Sequence, residues 1–84
     1  MFNEQTIEEL KLSLEMDLHE LIELTHLDLH LLMYKENDTI LVVIEDLEDG
    51  TQAVAPLAQS KLETMSIKEL NNYINHVWNY GAYL

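Results

Sequence analysis

The segment from Thr6 to Leu24 constrains the fold of this chain more than any other stretch. Its apolar residues recur at the spacing of one helix face, which predicts an amphipathic helix with one side buried. Between Leu10 and Leu18 apolar and polar residues also alternate strictly, a pattern typical of a strand. We favour the helix because this part holds good helix formers, no β-branched residue and no Gly, Pro or Asn. A break near Asp17 is the main alternative.

The helical interpretation places two apolar residues, Leu12 and Met16, on the acidic side of the helix. Three arrangements are compatible with this pattern: packing beneath another part of the domain, the apolar centre of a binding patch with a carboxylate rim, and a homodimer seam. The residues of this helix that we predict to bind a partner are Glu8, Leu12, Glu15, Met16, Glu20 and Glu23.

The middle of the chain predicts a small antiparallel sheet. Residues 28–34 read as one strand, and residues 39–46 (TILVVIED) are rich in Ile and Val and read as a second strand, paired with the first. A turn that ends in the pair Asp49-Gly50 leads to a weaker third strand over residues 51–55. Pro56 stops that strand or marks it as an edge.

The end of the chain predicts a second helix from Ile67 to about Asn79. Ser66 and Glu69 have the spacing of a capping box, and Gly81 occupies the place of a left-handed C-terminal cap. The predicted fold is therefore a single α+β domain over residues 1–84, in the order α-β-β-β-α, with two helices packed against one face of about three strands. This order resembles the double-stranded-RNA-binding domain, but that fold uses a basic surface.

Charge is the dominant compositional feature. Sixteen Asp and Glu face four Lys and no Arg, for a formal net charge of −12. Residues 1–50 hold fourteen acids and two lysines, which gives −12, whereas residues 51–84 hold two acids and two lysines, which gives zero. Binding to nucleic acid or to an anionic membrane is disfavoured because phosphate binding needs Lys and Arg. A basic protein surface is the expected partner.

Two further clusters carry polar side chains. The turn after the second strand adds four acids to the predicted partner-binding set: Glu45, Asp46, Glu48 and Asp49. His26, Asp28 and His30 would share one face if residues 26–30 were extended, which makes them weak candidates for a transition-metal site. The alternative is three polar residues on the exposed side of a strand. No catalytic motif and no cofactor motif is present in the sequence.

These observations favour a non-enzymatic protein that blocks a basic surface. Carboxylates four apart on a helix are separated by about 6 Å along the axis, a spacing of the order of a phosphate row. Small size, acidity and absence of cysteine resemble the class of phage- or mobile-element-encoded inhibitors that mimic DNA and evade host defence. We therefore expect a cytoplasmic nucleic-acid-mimicking inhibitor of a DNA- or RNA-binding host protein. An antitoxin or immunity protein and an acidic homo-oligomeric adaptor are the alternatives.

Overall fold

The computed structural model describes residues 4–83, and the predicted long helix is its first element. Helix α1 spans Glu4–Thr25 without a break, so the helical interpretation of residues 10–18 is confirmed and the break near Asp17 is wrong. Thr25 ends the helix: its hydroxyl donates a hydrogen bond to the Leu21 carbonyl at 2.8 Å and accepts one from the Leu27 amide at 3.3 Å. His26 then takes a left-handed conformation with φ of 58°, which turns the chain towards the sheet.

The sheet contains the three predicted strands, of which the second has the predicted bounds and the other two end later than predicted. Strand β1 spans Leu29–Glu36, β2 spans Thr39–Asp46 and β3 spans Gln52–Ala58, and neighbouring strands are antiparallel. Of the two alternatives for Pro56, the stop is wrong, because Pro56 lies inside β3, and the edge position agrees with its pairing. Among the residues that the structure describes, Ala53 and Val54 alone pair with a further strand on that side, so Pro56 is paired with β2 and needs no second ladder.

Three short helices and a fourth strand complete the part of the chain that the structure describes. Helix α2 spans Gln59–Thr64, α3 spans Ile67–Asn71 and α4 spans Tyr73–Tyr80, and β4 (Ala82–Tyr83) pairs with β3 to give the sheet order β1-β2-β3-β4. The prediction of one continuous helix over residues 67–79 is wrong, because the chain breaks at Asn72, whose ψ is 6°. The α+β class and the α-β-β-β-α order are confirmed.

The capping predictions for the last helices have mixed outcomes. Ser66 caps α3 as predicted, because its hydroxyl oxygen accepts a hydrogen bond of 3.1 Å from the Glu69 amide. Gly81, however, is extended, with φ of −71° and ψ of 171°, and does not form a left-handed cap. A glycine is needed there for space, because a Cβ would lie 2.5 Å from the Val77 carbonyl oxygen and 3.3 Å from that of Val54. Close packing of α4 against β3 therefore explains this residue.

The described helices pack against one face of the sheet. The buried core joins the apolar stripe of α1 and the buried residues of α4 to alternate residues of the three long strands. On the opposite side lie two cross-strand rows, which we call the outer sheet face: Leu32, Val43 and Val54, then Tyr34, Leu41 and Pro56. Val43 is only 4% exposed although it does not belong to the core cluster.

Candidate functional site

The six residues predicted from this helix, which we call the solvent face of α1, are Glu8, Leu12, Glu15, Met16, Glu20 and Glu23. The helix also exposes Glu9, Lys11, His19 and Leu24. Leu12 is 64% exposed and Met16 is 73% exposed, so neither packs beneath another part of the domain. Glu8, Glu20 and Glu23 are also exposed, and Glu15 is half-buried. Of the three arrangements open to Leu12 and Met16, internal packing is therefore wrong. A patch that is apolar at its centre and anionic at its rim remains on the free surface.

The opposite side of α1 holds this surface in place. Leu10, Leu14, Leu18 and Leu21 are buried, and Leu14 is fully inaccessible. The helix packs mainly against α4, with further contacts to α3 and β1. Because the buried stripe fixes the rotation of the helix about its axis, Leu12 and Met16 must point away from the core. Glu8 and Glu23 are fifteen residues apart, so the anionic rim extends about 22 Å along the helix.

Sequence reasoning missed the role of Asp17, which lies on the buried side of α1. It is 7% exposed, and its Oδ2 accepts a hydrogen bond of 2.9 Å from the backbone amide of Ile74 in the first turn of α4. Asp17 therefore caps a helix that begins 56 residues later in the chain, and no local motif could signal that contact. Burial raises the pKa of this carboxyl above its usual value, although the amides of Ile74 and Asn75 act in the opposite direction.

The four acids predicted at the β2–β3 turn have different surroundings. Asp46 is 6% exposed and therefore withdrawn from solvent. Its Oδ1 accepts a hydrogen bond of 3.0 Å from the Glu48 amide, which stabilises the turn. Asp49 is exposed, and its Oδ1 accepts a hydrogen bond of 2.8 Å from the Thr51 amide. This hydrogen bond lowers the pKa of the Asp49 carboxyl. Glu48 is exposed, and Glu45 is half-buried on the far side of the sheet from the core. Glu48 and Asp49 thus remain the accessible acids of this turn.

The backbone does not bring the weak metal candidates together on one strand face. His26 is left-handed and β1 begins only at Leu29, so the premise that residues 26–30 are extended is wrong. All three side chains, those of His26, Asp28 and His30, are exposed. Among the residues that the structure describes, no group of three or more His, Cys, Asp or Glu is arranged to hold a metal ion.

A pocket in the neutral half of the chain was not predicted. It has a volume of about 540 Å³ and lies between β3 and the three short helices. Two of the four lysines, Lys61 and Lys68, line it together with Tyr73 and His76. The only sequence signal was the absence of net charge after residue 50, which by itself does not locate a cavity.

Comparison of the chain with protein-family models, with curated proteins and with solved structures gives no match. Within residues 4–83, no helix combines the length and the apolar character that a membrane span requires. The surfaces of this chain are therefore the only guide to its function.

Proposed function

We propose that this protein binds the basic surface of another protein through the solvent face of α1 and blocks it. The observation that carries the proposal is the exposure of Leu12 and Met16 among carboxylates on one rigid helix. Apolar residues at the centre and charged residues at the rim are the usual anatomy of a protein interface. Methionine also adapts well to the shape of a partner.

The partner class follows from the charge. With a net charge of −12, the protein attracts basic surfaces, and an extended basic surface is typical of proteins that bind nucleic acid. The row of carboxylates along α1 would occupy such a groove in place of phosphates. We therefore propose a nucleic-acid-mimicking inhibitor of a DNA- or RNA-binding host protein, of the phage or mobile-element type, that acts in the cytoplasm without enzymatic activity. Glu48 and Asp49 would extend the same contact from the β2–β3 turn.

The test begins with partners recovered from host lysate and eluted with increasing salt. Each recovered protein is then titrated with labelled DNA or RNA in the presence of the inhibitor. We expect displacement of the nucleic acid and an affinity for the inhibitor that falls steeply between low and physiological salt. Affinity that is insensitive to salt would contradict the electrostatic mechanism, and failure to displace nucleic acid would contradict mimicry.

Matched variants assign the contact to α1. Glu8→Gln with Glu23→Gln removes two charges from the solvent face of α1, while Glu36→Gln with Asp38→Asn removes two from exposed positions at the β1–β2 turn. We expect the first pair to weaken binding about tenfold and the second to change it less than about twofold. Equal effects of the two pairs would show that only total charge matters.

An acidic homo-oligomeric adaptor is the second candidate, and the outer sheet face favours it. Leu32, Leu41 and Val54 are half-buried, and none belongs to the core or packs against it. An apolar sheet face of this kind can bind a second copy of the chain. Light scattering separates the two candidates, since an adaptor would form a stable oligomer at micromolar concentration. The antitoxin or immunity protein uses the same solvent face of α1 and differs only in having a toxin as its partner.

A further inference from the structure

We infer that the pocket between β3 and the short helices, hereafter the lysine pocket, binds a small organic anion with an apolar body. Its volume of about 540 Å³ lies within the range of small-molecule sites in proteins. The inference concerns the neutral half of the chain and is independent of the solvent face of α1.

Charge distinguishes this pocket from the rest of the molecule. Lys61 and Lys68 line it, and Glu69 is the single acid in its lining, so with neutral His76 the lining has a net charge of +1. The whole chain has a net charge of −12 with four lysines in total. Half of its lysines thus converge on one cavity. An anion that is repelled by the acidic half of the chain meets a lining with an excess of positive charge here.

The apolar part of the lining sets the second requirement on the ligand. Ala55 and Pro56 contribute from β3, Met65 from the connection after α2 and Tyr73 from the first turn of α4. Burial raises the pKa of the Tyr73 hydroxyl, which keeps its proton and its capacity to donate a hydrogen bond. A fully hydrated ion such as phosphate would leave these apolar groups without a partner. A carboxylate with a short hydrocarbon body satisfies both parts of the lining.

The local structure holds these groups in position. The Ser66 hydroxyl oxygen accepts a hydrogen bond from the Glu69 amide and caps α3. The same hydroxyl donates a hydrogen bond of 3.3 Å to Glu69 Oε1, which engages the Glu69 carboxylate at the start of the helix. His76 packs against Tyr80, with ring centroids 5.2 Å apart. Lys61 and Lys68 are both exposed, so their ammonium groups are accessible to a ligand. The single acid of the lining thus has a hydrogen-bonding role of its own, whereas the two lysines can approach an anion.

The experiment is a titration of the full chain, labelled with ¹⁵N, with octanoate and separately with uncharged octanamide. We expect saturable shifts at the amides of Met65, Asn72 and Tyr73, with a Kd for octanoate on the order of 1 mM or tighter. Octanamide should bind about five- to tenfold more weakly, because it has no charge to pair with lysine. Absence of saturable shifts at these amides, or equal affinity for the two compounds, would overturn the inference.

The chain supplies a matched control, since the other two lysines lie outside the pocket. Lys61→Met with Lys68→Met should weaken octanoate binding about five- to tenfold and leave octanamide binding unchanged. Lys11→Met with Lys35→Met removes the same total charge and should change octanoate affinity less than about twofold. Equal losses in the two double variants would assign the effect to net charge and overturn the site. Dispersed amide spectra of both variants establish that each is folded before the titration.

Discussion

The two sides of α1 carry leucines that differ in their exposure to solvent. Leu14 is fully buried and Leu12, two residues earlier, is 64% exposed. Helix propensity does not distinguish them, because it depends on the residue type. The two leucines differ in their angular position relative to the stripe that packs on α4 and the sheet. A large apolar residue in a helix is thus evidence of a core only when its angular position agrees with that of its neighbours.

The largest effect should separate these two leucines. Leu14→Ala removes a side chain at the centre of the core and should lower the free energy of unfolding by about 2–5 kcal/mol. Leu12→Ala should change it by less than about 0.5 kcal/mol, since the side chain is already in water. Urea denaturation of the three proteins measures both values. A large loss for Leu12→Ala that disappears on dilution would instead place Leu12 in a homodimer seam.

The next effect concerns the charged residue on the buried side of α1. Asp17→Ala leaves the Ile74 amide without its acceptor in a buried environment, which should cost about 1–3 kcal/mol of stability. Hydrogen exchange should show a loss of protection concentrated in α4. Asp28→Ala is the control, because Asp28 is exposed and only its backbone carbonyl is engaged, by the Leu47 amide. If Asp17→Ala opens α1 and α4 equally, Asp17 is part of the core rather than a cap.

The same carboxyl gives a smaller, pH-dependent effect. Because the pKa of Asp17 is raised in the folded protein, the folded state binds its proton more readily than the unfolded state does. Its contribution to stability should therefore increase as pH falls through the folded pKa towards the ordinary aspartate pKa of 3.8, and decrease as pH rises. Asp17→Asn removes this dependence, so the stability of the unmodified protein relative to this variant should rise on acidification. A difference that is constant between pH 7 and pH 4 would contradict the shift.

The smallest effect lies on the solvent face of α1. Glu8→Gln with Glu23→Gln relieves repulsion among exposed carboxylates and should raise Tm by no more than about 2 °C at low salt. Screening should abolish the gain at high salt. A loss of stability at low salt would indicate that these side chains stabilise the fold and do not simply face water.

Much of the fold could be predicted from the local pattern of residues along the sequence. The second strand was predicted over residues 39–46 and lies at Thr39–Asp46, because β-branched residues and the flanking polar turns act within a few residues of one another. The single long helix was likewise predicted from its period. The run Ile40–Ile44 is apolar at every position. A strand covered on one side alone alternates apolar and polar residues, so this run indicates that the outer sheet face is apolar as well.

The sequence by itself determined the α+β class, the element order, the amphipathic first helix and the segregation of charge, because these depend on composition and on contacts between near neighbours. Only the tertiary structure decided that Leu12 and Met16 are exposed, that Asp17 caps α4, that the last helix breaks at Asn72 and that two lysines share a pocket. The physical reason is sequence separation. Asp17 and Ile74 meet 57 residues apart, and a periodicity confined to one segment holds no information about which distant backbone groups it will contact.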